Sequence, residues 1–334
     1  MNPISKRLKT ERLRLVFMGS DPIALPLLEW LIGADGRKQV EVISVFTQPD
    51  RAVGRGQKVV PNAIKTWAIN HEIPVQQPAK LNEEVRLEMA AMEPDVSLVM
   101  AYGHILRDAF IETPRLGTLN LHASILPHFR GASPIQSAVL SGDAETGISL
   151  MRIVRELDAG PVADIERVSI DPRDTALELE AKLAGACTPL VARNLTALAN
   201  ETLEFAEQEH AAATFCRKLT KSDGVLDFTA SAQILVDRIN GLHPWPGCRV
   251  QINGQIVRIA LAETAEGEGA AGHVVGHDDE ALIVGTGSGL LRMLRLQRPG
   301  GRMLPTAEFL RGFPVERGTE IPSQAMPELI TKAK

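Results

Sequence analysis

Leu13–Phe46, LRLVFMGSDPIALPLLEWLIGADGRKQVEVISVF, decides how the rest of the chain is read. It opens with Leu13–Gly19, a nearly continuous apolar run of the kind expected in a parallel strand covered on both faces. Ser20-Asp21-Pro22 then offers a cap candidate and a proline at a first helical position, and Ile23–Leu31 continues as a helix. Val40–Phe46 reads as a second strand. Strand, helix and strand in this order predict a Rossmann-like, doubly wound α/β domain. A single glycine, Gly19, marks the first strand–helix turn. The three spaced glycines of a dinucleotide fingerprint are missing, so neither NAD nor FAD is expected.

The 334 residues exceed one ordinary domain, and two are expected. With 44% hydrophobic and 23% charged residues the chain suits a soluble globular protein. It has no apolar run long enough to cross a membrane. Residues 1–12, MNPISKRLKTER, form a basic tail without the apolar stretch of a signal peptide, and a cytoplasmic protein is expected. Cys187, Cys216 and Cys248 are distant and odd in number, which argues against a disulfide framework or a zinc site. No metal is expected. A net charge of −5 does not announce a nucleic-acid binder, although the part after His210 is nearly balanced and so less acidic than what precedes it.

Beyond the second strand, Thr47–Lys65 reads as a long flexible basic loop, with Gly54 and Gly56 among Arg51, Arg55 and Lys58. It lacks the Gly-Lys-Ser/Thr ending of a phosphate-binding Walker loop. Helices are expected over Ala63–Ile69 and Asn82–Met92, and strands near Pro74-Val75 and over Asp95–Ala101, the last ending in Tyr102-Gly103-His104. Thr118–His122, TLNLH, is a further strand. Alternation puts Asn120 and His122 on one face and Leu119 and Leu121 on the other. An amide and an imidazole side by side on a buried strand need either partners or a task. A loop with Pro127, Arg130 and Gly131 follows, then Ser133-Pro134 capping and opening a helix to about Leu140. A neutral donor, a base that titrates near neutral pH and a cationic loop suit acyl transfer.

Thr146–Val154 is the next strand, and the turn Arg155–Pro161 carries Asp158, as a plain turn former or as a third member of the same constellation. Asp171–Leu198 is helical, with Thr175 a possible cap. These elements compose a domain over residues 13–200, followed by a polar, alanine-rich linker at 201–213. Residues 214–334 start with a helix over Ser231–Gly241 and a rigid His243–Gly247 turn. Arg249–Ile259 is a hairpin on Asn253-Gly254. Short strands over 273–275, 281–284 and 289–296 complete an OB-like β-barrel. Arg292, Arg295, Arg298 and Arg302 form its densest cationic run. Leu294 and Leu296 share parity with Arg292 and Arg298, so a bulge or strand end is expected near 294–296.

Asn120-Leu121-His122-Ala123-Ser124-Ile125-Leu126-Pro127, with Arg130-Gly131-Ala132-Ser133-Pro134 and Leu157-Asp158-Ala159-Gly160, resembles the signature of folate-dependent formyltransferases. Phe46–Arg51, Gly54-Arg55-Gly56, the Lys218/Lys221 segment and Asn240–Pro246 resemble the methionyl-tRNA formyltransferases within that family. Ser20-Asp21-Pro22-Ile23 departs from the family's usual first turn. The resemblance implies transfer of the formyl group of 10-formyltetrahydrofolate to the α-amine of methionyl initiator tRNA; a monomer is expected. It implies Asn120, His122 and Asp158 as catalytic residues. Folate contacts are implied at Tyr102, Gly103, Ser124, Ile125, Leu126, Pro127 and Leu157, and tRNA contacts at Arg51, Arg55, Lys58, Lys218, Arg298 and Arg302. The nearest rival reading is formylation of a small amine, such as glycinamide ribonucleotide or an amino-sugar nucleotide, which needs neither the basic loop nor the arginine-rich barrel. A formyltetrahydrofolate hydrolase and an RNA-binding protein with an inert α/β domain are the others.

Overall fold

The structure is a computed structural model and describes residues 12–53, 56 and 58–332. In chain order it runs β1 (Leu13–Gly19), α1 (Leu25–Ile32), β2 (Val40–Phe46), β3 (Arg51–Val53), β4 (Lys58–Val60), α2 (Ala63–Asn70) and β5 (Val75–Gln76). Then follow α3 (Glu83–Ala91), β6 (Val96–Met100), α4 (Asp108–Ile111), β7 (Thr118–His122), β8 (Arg130–Gly131), α5 (Pro134–Leu140), β9 (Glu145–Arg152), β10 (Val162–Ser169) and α6 (Ala176–Ala199). The remainder comprises β11 (Thr214–Cys216), α7 (Ala232–Gly241), β12 (Cys248–Ile252), β13 (Gln255–Ala265), β14 (Val274–His277) and β15 (Leu282–Gly285). Last come β16 (Leu290–Gln297), β17 (Leu304–Pro305), α8 (Thr306–Gly312) and β18 (Ile330–Lys332).

The chain divides into two compact units. The first combines Met1–Pro127, Gly147–Val168 and Ala181–Ala211; the second combines His128–Thr146, Ser169–Glu180 and Ala212–Lys334. The first is built on a seven-stranded sheet ordered β10-β9-β7-β6-β1-β2-β5. β1 is an interior strand, buried along almost its whole length, as its apolar run requires. Strand order reverses between β1 and β6, so their carboxyl ends open the crevice where α/β sheets bind ligands. β2, β6 and β7 run parallel to this core, whereas β9 pairs antiparallel with β7. The half-exposed strand β10 was not foreseen, because VADIERVS shows neither an apolar run nor clean alternation.

Two local expectations are corrected. The Thr47–Lys65 stretch is not structureless: Arg51–Val53 and Lys58–Val60 pair as an antiparallel hairpin. Arg55 lies outside the described residues. Ser133 does precede the helix opened by Pro134 but does not cap it; its hydroxyl donates to the Arg217 carbonyl at 2.7 Å.

In the second unit the strands align antiparallel as β12-β13-β16-β15-β14, with β17 on β16. Asn253 and Gly254 both take positive φ, 47° and 76°, as the turn between β12 and β13 demands. α7 buries Leu235, Val236 and Ile239, one helical face, in the core of this sheet, and Leu242 just after it joins them. A second, three-stranded sheet, β18-β11-β8, belongs to the same unit. The expected break in β16 is present: pairing with β13 skips Leu294, with register shifts around Leu261. Asn240 fills the gap, donating to the Ala262 carbonyl at 3.1 Å and accepting from the Ala262 N–H at 3.0 Å.

Candidate active site

β7 lies between β6 and β9, and its register pairs Asn120 with Met151 and His122 with Ser149. Asn120 is half-buried and His122 is 5% exposed at the strand's carboxyl end. Asp158 approaches from the turn after β9, its Oδ2 3.8 Å from His122 Nδ1. The structure thus brings His122 and Asp158 together and sets Asn120 on the same face of the same strand. The 3.8 Å separation is an ion-pair distance, longer than a direct hydrogen bond.

The turn holding Asp158 is shaped by two constraints. Asp158 itself has φ +49°, in the left-handed region that costs a side-chain-bearing residue energy. Gly160 packs against the end of β9 so closely that a Cβ there would sit 2.0 Å from the Arg152 carbonyl oxygen. Only glycine allows that approach.

The Ser124–Pro127 loop is held by Ser149, whose hydroxyl donates to the Ser124 carbonyl at 2.7 Å and accepts from the Leu126 N–H at 3.1 Å. Ser149 was missed by sequence reasoning; its one signal was a lone hydroxyl within the apolar run of β9. Ser124 and Leu126 are buried and serve this loop's packing, whereas Ile125 and Pro127 are half-buried.

Beside β7, the carboxyl ends of β1, β2 and β6 are knitted through Ser20. Its hydroxyl donates to the Tyr102 carbonyl at 3.3 Å and accepts from the Gln48 N–H at 3.0 Å. The Gln48 carboxamide donates to the same Tyr102 carbonyl and accepts from Arg51 Nη2 at 2.7 Å. Arg51 is exposed, yet this bond draws its guanidinium toward the sheet edge. Gly103 has φ +79°, and His104 stands edge-on to Tyr102 with ring centres 5.0 Å apart. Tyr102 Oη and His104 Nε2 are buried with no hydrogen-bond partner among the described residues. Burial pushes the Tyr102 phenol up, and burial reinforced by the Arg51 charge pulls the His104 imidazole down. Ile105 is 90% exposed and Leu157 64%, an apolar pair left uncovered in the first unit.

The remaining basic candidates among the described residues are all on the surface. Lys58 is exposed on β4, and Lys218, Arg298 and Arg302 are exposed in the second unit. Arg298 and Arg302 lie just beyond β16, with Arg298 donating to the Gly312 carbonyl at 3.2 Å. Arg292 is a correction to the cationic run. It is tied to Glu263 at 2.9 Å, to Asp278, and to Glu280 at 3.7 Å, so its charge is spent within the sheet.

The Formyl transferase family pattern matches residues 15–193, and the Formyl transferase C-terminal domain pattern matches residues 218–314. A methionyl-tRNA formyltransferase of Ectopseudomonas mendocina is 43% identical over 300 residues, covering 90% of this chain and 94% of that protein. The chain belongs to the methionyl-tRNA formyltransferase family. A second member, from Pseudomonas fluorescens, is 40% identical over 88% of this chain and 92% of its own length. Solved structures of low sequence identity share the fold. An N-formyltransferase from Helicobacter canadensis, in complex with folinic acid and dTDP-3-aminofucose, has TM-score 0.64 at 18% identity over 86% of this chain and 99% of its own. HypX from Aquifex aeolicus, in complex with tetrahydrofolic acid, has TM-score 0.59 at 15% identity over 90% of this chain and 47% of its own. The family's two parts, a sheet-based formyltransferase domain and an antiparallel β domain, account for the matched residues. Among the described residues, no helix is long and apolar enough to cross a membrane.

Proposed function

We propose that this chain transfers the formyl group of 10-formyltetrahydrofolate to the α-amino group of methionyl initiator tRNA. The observation that carries the reading is the approach of Asp158 to His122 at 3.8 Å, at the strand end that also presents Asn120. In this reading the Asn120 carboxamide donates to the formyl oxygen and, with His122, stabilises the negative charge that develops as the amine attacks. Asp158 orients His122, favours its protonated form as that charge appears, and helps take the proton lost by the amine. The folate is a co-substrate, and the first unit offers groups that fit it: Tyr102 Oη and His104 Nε2 are buried with no hydrogen-bond partner among the described residues, and Ile105 and Leu157 are exposed. A flat ring with a polar rim would satisfy the first pair and cover the second. Backbone at Gly103, with Ser124, Ile125, Leu126 and Pro127 shaping the loop under the formyl group, completes that site.

For the tRNA, Arg51, Arg55 and Lys58 would meet the acceptor end and Lys218, Arg298 and Arg302 the phosphate backbone. The setting is the cytoplasm and the acting form a monomer. The test is formylation of charged initiator and elongator tRNA with 10-formyltetrahydrofolate by the full chain. Product on the initiator alone supports the reading; no product on any methionyl-tRNA, with transfer to a small amine instead, overturns it.

A further inference from the structure

We infer that Gln208 is a positioning residue for the transfer, acting through Asp158; this rests on the role given to Asp158 above. The stretch 201–213, expected as a linker, is fastened across the turn that carries the carboxylate. The Phe205 ring lies 4.2 Å from the Arg152 guanidinium carbon, where the turn begins. Ala206 and Val162 exchange backbone hydrogen bonds of 2.8 and 2.9 Å, where it ends. Between these, Gln208 Nε2 donates to the Asp158 carbonyl at 2.9 Å and to the Gly160 carbonyl at 2.6 Å. Gln208 is only 8% exposed, so water competes little for those carbonyls.

The bonds matter because of what they hold. Asp158 sits at φ +49°, a conformation that an aspartate abandons readily unless its surroundings fix it. Two donors from one rigid carboxamide fix the carbonyls at 158 and 160, and with them the rotation of the peptides that follow Asp158 and Gly160. The carboxylate then has one place to stand, 3.8 Å from His122. A role limited to satisfying buried carbonyls would lower stability and leave turnover alone. A positioning role lowers turnover and does so only while Asp158 is present.

The experiment uses the full chain carrying Gln208→Met, which keeps the side chain's length and removes both donors. Steady-state formylation should show kcat reduced roughly 10- to 10²-fold, with KM for both substrates within about threefold, since small displacements of a reacting group cost that much. In an Asp158→Asn background the same substitution should change the residual rate by less than about twofold. An unchanged kcat with a lowered Tm overturns the inference, and so does an equal loss in both backgrounds. If Gln208→Met does not fold, Gln208→Glu carries the same comparison. Should the wild-type chain formylate no methionyl-tRNA, the reading of function fails, and hydrogen exchange still tests the strap. Gln208→Met should then speed exchange of the Ala159 N–H, bonded to the Glu156 carbonyl, at least about tenfold, and unchanged exchange overturns it.

Discussion

Gly160→Ala is the sharpest perturbation of this site, because it adds one methyl group where the site's backbone packs most closely. The new Cβ would meet the Arg152 carbonyl oxygen at 2.0 Å, whereas ordinary contact begins near 3.4 Å. Relief needs a displacement of about 1.4 Å between the turn and the end of β9. If the turn yields, Asp158 Oδ2 moves from 3.8 Å to about 5.2 Å from His122 Nδ1. At an effective dielectric of about 20, the attraction for a protonated His122 falls from about 4.4 to about 3.2 kcal/mol. That difference alone is roughly an eightfold loss of rate if it is felt fully in the transition state. Misorientation adds to it, so kcat should fall between about 10- and 10²-fold. Overpacking should also lower stability by about 1–3 kcal/mol. Saturating single-turnover formylation reads the first effect and thermal melting the second. A folded Gly160→Ala enzyme with kcat within about twofold of wild type would refute the reasoning.

The other predictions concern chemistry, charge and pH. His122→Ala should lower turnover by at least about 10² while folate binding persists, and equilibrium binding beside kcat checks both. Neutralising Arg51 and Lys58 together should raise KM for tRNA and flatten its salt dependence, each lost phosphate contact reducing the slope by up to about 0.9. Identical kinetics at low and moderate salt would make the hairpin a merely solvated one. Arg292→Ala should lower Tm with the salt slope unchanged, because its partners are Glu263, Asp278 and Glu280, whereas Arg298→Ala and Arg302→Ala should do the reverse. Burial lowers the pKa of His104 and of His243 below the ordinary 6.5. The unfolded chain therefore takes up protons first, so the stability these neutral imidazoles contribute is present above about pH 6.5 and fades below it. Tm should fall from pH 7.5 to 5.5, and His243→Gln should flatten that slope.

Where the sequence carried a local physical signal, the structure followed it. The apolar run of Leu13–Gly19 became a buried interior strand, and Asn253-Gly254 became the tight turn. The parity conflict around Leu294 correctly demanded a break in β16. Asn120 and His122 were placed on one face by alternation alone. What stayed hidden depended on distant pairing. Nothing in the polar, alanine-rich stretch around Gln208 reports that its carboxamide reaches back to Asp158. Arg292 looked like its exposed neighbours until Asp278 and Glu263 were brought beside it by strands many residues away. β10 was invisible because an edge strand with half-exposed side chains has no hydrophobic period to read.

The chain path of the second unit has a consequence for how the protein is made. α5 buries Ser137, Ala138 and Val139, and Gly241 of α7 lies so close that a Cβ there would come within 2.9 Å of Leu140. A ribosome that has released residues up to about Ala211 has therefore displayed α5 without the helix that covers it. For the time needed to synthesise the next stretch, at roughly 5–20 residues per second, that apolar face is open to the crowded surroundings. The same dependence warns against cutting the gene at the apparent boundary. A fragment starting at Thr214 would leave β8 and α5 behind, stripping β11 of a sheet neighbour and α7 of its cover. Transplanting this β-rich half into another protein would need the 128–146 segment carried along with it.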